Sequence, residues 1–275
     1  MLVPVRQAIV SALRRLGGTR LLLPATALVT RSLCVRQSAA FTAREALRRH
    51  GLFLYTLREN GLRVALRHRT GDVVTLGEVW RNRDYDPPAE VTAAIGSPER
   101  VVDLGGNIGL FALHALGLWP DARVVSYEPD PINAAVLRRS LQANELHDRW
   151  RLVEAAAGAA DGDVRFAAGR DALSHVVEDG EGGATVTVPV ADVLDEVAAA
   201  DLVKIDIEGG EWAIVGDPRF AARPPRAVVL EYHPRGCPDG DPHGAIRAAV
   251  EAAGLRHADI WRRDDGHGML WAWRP

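Results

Sequence analysis

The sequence predicts an α/β fold built on a doubly wound, mostly parallel sheet and preceded by a helical N-terminal extension. Three observations lead there. From Arg100 onward, apolar runs of strand length alternate with helical stretches to the end of the chain, the pattern of a parallel sheet covered on both faces. The segment Arg100 to Gly109 (R-V-V-D-L-G-G-N-I-G) is an apolar run that breaks into a glycine turn. It leads into the apolar stretch 110–118, and strand, glycine turn and helix open a nucleotide-binding α/β unit. A second strand-like run, Val124–Tyr127, ends in Glu128, which lies 19 positions after Gly109 (128 − 109). That is close to the distance at which a carboxylate after the second strand takes ribose hydroxyls.

In chain order, Val5, Ile9, Leu13 and Leu16 share one helical face, and Gly17-Gly18 ends that run. Thr42 and Glu45 have capping-box spacing, which predicts a short helix from there to His50 with Gly51 just past it. Asn60-Gly61 reads as a two-residue hairpin turn between the runs 52–57 and 62–66. A second turn follows at Thr70-Gly71, and Tyr85-Asp86-Pro87-Pro88 closes this lead-in, because consecutive prolines break regular elements. Strands are then expected at 101–104, 123–128, 151–154, 203–207 and 227–232, with helices at 131–144 and 243–253. Residues 158–190 read as loop- and strand-rich, with Gly180–Gly183 at a tip. The runs 255–261 and 269–273 flank a turn at Asp264-Asp265-Gly266 and predict a final antiparallel hairpin. Two units follow: a helical cap over residues 1–59 and the nucleotide-binding domain over residues 60–275.

The totals narrow the function. A chain of 275 residues with 47% apolar content can bury a full core, and its net charge of −3 creates no field that favours nucleic acid. Residues 1–50 hold nine arginines and one acid, net +8, so the remainder carries −11. That split suggests helices docked on the chain's own acidic surface or pairing two chains as a homodimer, rather than anchoring it in a membrane. The apolar run 21–30 is short, contains Pro24 and falls below the roughly 20 residues that span a bilayer. Cys34 and Cys237 lie far apart with no C-x-x-C spacing, which predicts a reduced, cytoplasmic protein.

The glycine turn is not a dinucleotide fingerprint, since its glycines stand at 105, 106 and 109 and Asn107 interrupts them. Asp103, two residues before the turn, would repel a pyrophosphate and attract a cation. S-adenosylmethionine has no phosphate but carries an ammonium and a sulfonium, so the turn predicts a site for it. A second cluster, Lys204-Ile-Asp-Ile-Glu-Gly-Gly-Glu211, ends the strand expected beside Asp103. There Asp206 and Glu208 would face the methyl donor across the switch point. Lys204 is the only lysine among 33 basic residues, which suggests a place where a guanidinium does not fit. A third cluster, Glu231-Tyr232-His233, ends the next strand at the same rim.

These segments resemble FkbM-type S-adenosylmethionine-dependent O-methyltransferases. The resemblance rests on Asp103-x-Gly105-x-Asn107-x-Gly109, Glu128-Pro129-Asp130-Pro131 with Asn133, and Val203 to Glu211. Thr70-Gly71-Asp72, Tyr85, Gly158 to Gly162 and Glu231-Tyr232-His233 match more weakly, and Gly106 stands where alanine is commoner. The resemblance covers about residues 60–272 and implies a class I methyltransferase-like sheet of seven strands, the last antiparallel. It implies a cofactor-binding set of Asp103, Gly105, Asn107, Gly109, Glu128, Pro129 and Asp206. Asp103 and Gly105 would hold the methionine end and Glu128 the ribose. The acceptor would be the hydroxyl of a small molecule of natural-product or sugar type, with His233 as base and Lys204 or Asp206 as rivals for that role. If a divalent metal takes part, Asp206, Glu208 and Glu231 are the hard oxygen ligands at hand. A binding module without catalysis would need none of Lys204, Asp206 and His233.

Overall fold

A helical lead and a β-hairpin come before the alternating region. The structure, a computed structural model, describes residues 19–169, 175–176 and 185–275. The helix expected around Val5 to Leu16 and the glycine tip at 180–183 lie outside the described residues. Helices α1 (Thr19–Ser32) and α2 (Ser38–Ala46) lead to the hairpin β1 (Gly51–Thr56) and β2 (Arg63–His68). Among the described residues of the 1–59 extension, the helices are Thr19–Ser32 and Ser38–Ala46, and residue 59 lies in the hairpin loop. Thr42 does not cap a helix, because α2 has already begun at Ser38. Glu45 instead accepts from His68 Nδ1 at 2.7 Å and from the Arg69 backbone. The hairpin turn is also longer than two residues. Leu57 N donates to Leu62 O and Gly61 N to Leu57 O, which leaves four residues between Leu57 and Leu62. Asn60 is used differently there: its amide donates to Leu113 O at 3.0 Å and ties the loop to the helix behind it.

Helix α3 (Asp72–Gly77) continues into a π-helical turn, Glu78–Asn82, and α4 (Ala89–Ile95) follows. The alternating region begins with β3 (Arg100–Leu104), α5 (Leu110–Leu118), β4 (Arg123–Tyr127), α6 (Pro131–Ala143) and β5 (Trp150–Val153). Four short strands come next: β6 (Ala156–Gly158), β7 (Gly162–Ala167), β8 (His175–Val176) and β9 (Val186–Asp192). They make a separate sheet in the order β6-β9-β7-β8. The chain returns through α7 (Leu194–Ala198), β10 (Leu202–Ile205), α8 (Glu211–Val215), α9 (Pro218–Ala222) and β11 (Ala227–Tyr232). It ends with α10 (Pro242–Ala252), β12 (Arg256–Arg262) and β13 (Gly268–Trp273).

The main sheet has seven strands in the order β12-β13-β11-β10-β3-β4-β5. β13 runs antiparallel to both of its neighbours, as the terminal hairpin predicts. Strand side chains alternate between two cores. Val101, Val124, Leu202 and Val229 face α5, α6 and the hairpin, whereas Val102, Val203, Val228 and Leu230 face the opposite layer. Helix α5 is apolar on every side because it is sandwiched, with residues 110–116 all buried. The hairpin is fixed to α6 by polar contacts: Ala65 N donates to Ser140 Oγ at 2.9 Å and Arg63 N to Asn144 Oδ1 at 2.7 Å. No helix among the described residues is long and apolar enough to cross a membrane. Cys34 and Cys237 are not joined in a disulfide.

The glycine turn after β3 depends on Gly109. Its φ of +86° favours glycine, and a Cβ there would stand 2.5 Å from the Trp150 ring. Gly240 also has positive φ (+70°) but has open space around it. Gly109→Ala should therefore cost about 3 kcal/mol, backbone strain plus overpacking, and Gly240→Ala only about 1 kcal/mol. Urea denaturation of the two variants gives the comparison.

Candidate active site

A row of polar residues crosses the sheet just below its carboxyl edge. Parallel registry sets Ser126 beside Asp103 and Asp103 beside Lys204. Trp150 Nε1 donates to Ser126 Oγ at 3.0 Å, and Ser126 Oγ donates to Asp103 Oδ2 at 2.8 Å. Lys204, 3% exposed, donates to the carbonyls of Leu104 at 3.2 Å and Gly105 at 2.5 Å. Its ammonium also lies 3.5 Å from Asp103 Oδ1 and 3.4 Å from Asp206 Oδ2. Burial alone would pull this amine's pKa down, but the Asp206 and Asp103 carboxylates outweigh burial and hold it above its ordinary value. Four oxygens around one point charge suit an ammonium and leave no plane for a guanidinium.

Above this row the glycine turn bends over the end of β10. A Cβ on Gly105 would stand 1.9 Å from Asp206 O, so only glycine lets the two segments pass. Asn107 is left-handed, at φ 46°. Its backbone N–H donates to Glu128 Oε2 at 2.6 Å, while Asp130 N donates to Oε1 at 2.8 Å. Glu128 is 4% exposed, and burial pushes its carboxyl up to about 8 against the pull of these two N–H groups.

The turn roofs a cleft of about 260 Å³ at the carboxyl ends of β3, β4, β10 and β11. Gly105, Asn107, Glu128, Pro129 and Asp206, all expected at the cofactor, line it. Asp103 and Gly109 do not. Asp103 is fully buried beneath the turn, bonded to Ser126 and facing Lys204, so it shapes the turn instead of reaching a ligand. Gly109 packs against Trp150. Among the described residues the lining contains five carboxyl groups (Glu78, Glu128, Asp206, Glu208 and Glu231) and no basic side chain. Burial and repulsion from Asp206 push Glu231 up to about 9, and the same two causes raise Glu78. Asn107 Oδ1 is buried without a hydrogen-bond partner. Tyr85 donates to Asp206 Oδ2 at 3.4 Å, and Phe166 adds an apolar wall.

From sequence, His233 is expected at the rim as base. It sits behind the cleft wall, 5% exposed, with Nδ1 3.1 Å from Glu211 Oε1 and Nε2 3.5 Å from Glu208 Oε2. Glu211 is fully buried and also accepts from the His233 backbone N–H at 2.7 Å. Burial would lower the imidazole's pKa, but Glu211 and the acids around it raise it to about 9. His233 does not line the cleft. Asp206, Glu208 and His233 bring one ligand-type atom each within 4.8 Å of one another. The geometry thus groups His233, not Glu231, with Asp206 and Glu208, and the imidazolium stands where a cation would sit among those acids. The two carboxylates raise the pKa of Lys204, which lies outside the cleft lining. Glu78, Thr75 and Phe166 had no sequence signal. Glu78 lines the cleft because the chain makes a π-helical turn there.

The raised pKa values fix the sign of a pH effect. His233 binds its proton more tightly folded than unfolded, so its contribution is complete below about pH 6.5 and is lost as pH rises through about 9. Glu128 and Glu231, also raised, act in the same direction. The ligand-free chain should be less stable at pH 9.5 than at pH 6.5 in urea denaturation. His233→Gln should shrink that difference by up to about 3 kcal/mol.

Sequence comparison identifies the domain. The Methyltransferase FkbM domain model matches residues 103–256. The type II methyltransferase M.XamI of Xanthomonas campestris pv. amaranthicola is 47% identical over 57 residues, 21% of this chain and 11% of that protein. Methyltransferase sdnD of Sordaria araneosa is 35% identical over 68 residues, 25% of this chain and 24% of that protein. The match therefore spans only about a tenth and a quarter of these two relatives. Among solved structures, methyltransferase FkbM from Methylobacillus flagellatus KT is similar at 19% identity and a TM-score of 0.46, over 64% of this chain and 44% of that one. Matched by the domain model over more than half its length, the chain belongs to the FkbM methyltransferase family.

Proposed function

We propose that this chain transfers a methyl group from S-adenosylmethionine to the hydroxyl of a small molecule. The observation that carries the reading is the acid lining of the cleft: among the described residues, five carboxyl groups and no basic side chain line it, beneath the D-x-G-x-N-x-G turn. A phosphate-bearing nucleotide would meet repulsion there, whereas a ligand with an ammonium and a sulfonium relieves it. The donor set fits. Glu128 keeps lone pairs beyond its two backbone bonds for a ribose diol, Asp206 and Glu208 suit the charged methionine end, and Asn107 Oδ1 has acceptor capacity unused. When bound, S-adenosylmethionine supplies an electrophilic methyl carbon on a positively charged sulfur.

The chain's own part is alignment and proton removal. Holding acceptor oxygen and methyl in line can supply about 7–11 kcal/mol of the barrier reduction. Lys204 is a positioning residue, fixing the carbonyls of Leu104 and Gly105 and the Asp206 carboxylate. His233 orders Glu208 and Glu211.

Calorimetry tests the donor site. Wild type should bind S-adenosylmethionine and not NAD, and Glu128→Ala should weaken binding by about 1.5–3 kcal/mol, the range for hydrogen bonds to a charged group. Unchanged affinity in that variant, or tight NAD binding by the wild type, would overturn the assignment.

A further inference from the structure

A second cleft, of about 400 Å³, adjoins the first, and the two share Glu78, Tyr85 and Glu231. Beyond those three its walls are Asn82 and Asp84 from the π-helical segment and Trp261, Arg262, Arg263 and Met269 from the terminal hairpin. No part of the donor-site argument uses this space. Its two arginines face aspartates on their own hairpin: Arg262 Nε is 3.3 Å from Asp259 and Arg263 Nη2 is 2.7 Å from Asp265.

Resting on the donor site proposed above, we propose that the second cleft is the acceptor subsite, that it takes a polyhydroxylated, sugar-type alcohol, and that Glu231 is the base. The walls carry this substrate class. Trp261 offers an aromatic surface for the C–H face of a pyranose ring, while Asn82, Asp84 and the two guanidinium groups offer donors and acceptors for ring hydroxyls. The mixture of acids, amide and guanidinium groups favours a neutral, hydroxylated acceptor over one that is apolar throughout.

Position selects Glu231 as base. It belongs to both clefts, so an acceptor hydroxyl directed toward the donor passes its carboxylate. Asp206 lines the donor cleft only, and its Oδ2 is engaged by Tyr85 and by Lys204, both at 3.4 Å. The ion pair of Glu231 with His233 is a loose 4.0 Å. In the step, the acceptor oxygen forms a bond to the methyl carbon as the carbon–sulfur bond breaks. The electron pair of that bond stays on sulfur, and the hydroxyl proton passes to the Glu231 carboxylate. Burial and Asp206 raise this carboxyl to about 9, so only its ionised fraction takes the proton and transfer should rise with pH toward that value.

The test uses the full chain saturated with S-adenosylhomocysteine and the methyl α-pyranosides of glucose, mannose and rhamnose. Saturation-transfer NMR reads binding, and labelled S-adenosylmethionine reads transfer to the same glycosides. Wild type should bind and methylate at least one of them. Trp261→Ala should lose about tenfold in glycoside affinity with its S-adenosylhomocysteine affinity unchanged. Glu231→Gln should bind both ligands and lose about 100-fold or more in transfer. Absence of glycoside binding to a wild type that does bind S-adenosylhomocysteine would overturn the subsite alone, as would equal binding by Trp261→Ala. Full transfer by Glu231→Gln would remove the base. Failure of S-adenosylhomocysteine to bind would instead sink the donor site and this inference with it.

Discussion

The ammonium of Lys204 is the interaction on which the rest of the site depends. A buried charge is tolerated only when it is paired and hydrogen-bonded, and this one satisfies that requirement by joining three segments: the end of β3, the glycine turn and the end of β10. Burial pushes the Asp103 carboxyl up, and Lys204 and Ser126 pull against that rise. With the ammonium in place, the carbonyls of Leu104 and Gly105 point down toward it. The turn is then pressed against Asp206 O, and the Asn107 N–H is aimed at Glu128. The geometry of the cofactor wall thus follows from one electrostatic demand a few ångströms below it.

The cleft itself has the opposite balance. The cations near it are spent behind its walls, Lys204 under the turn and His233 against Glu211, while the acids line the surface. Carboxyls crowded in a partly buried space lose part of their acidity, as Glu128, Glu231 and Glu78 do. A cationic ligand recovers that electrostatic free energy on binding. The same crowding raises the Glu231 carboxyl where the two clefts meet.

Much of this was legible in the residues. The central strands fall within a residue or two of their expected positions, because apolar runs bounded by Gly, Pro and Asp report burial directly. The Gly105–Gly109 turn and Glu128 were legible for a different reason: each needs a particular residue type at a particular place. The solitary lysine singled out its position, but composition could not show that four oxygens surround it under the turn. The ordinary imidazole pKa expected of His233 does not hold, because Glu211, 22 positions away, and the acids around it raise it. Thr42 and Glu45 had cap spacing by coincidence, since Glu45 is held by a long-range contact to His68 that no local pattern encodes. Glu78 and Trp261 reach their clefts through a π-helical turn and a terminal hairpin, features with irregular or distant determinants.

The central claim is that a compact buried ammonium shapes the cofactor wall, and Lys204→Arg tests it most directly because the charge is kept while its shape changes. Calorimetric titration with S-adenosylmethionine should show affinity falling about tenfold or more, with circular dichroism confirming that the variant remains folded. A folded Lys204→Arg chain that binds S-adenosylmethionine as tightly as wild type would contradict the account.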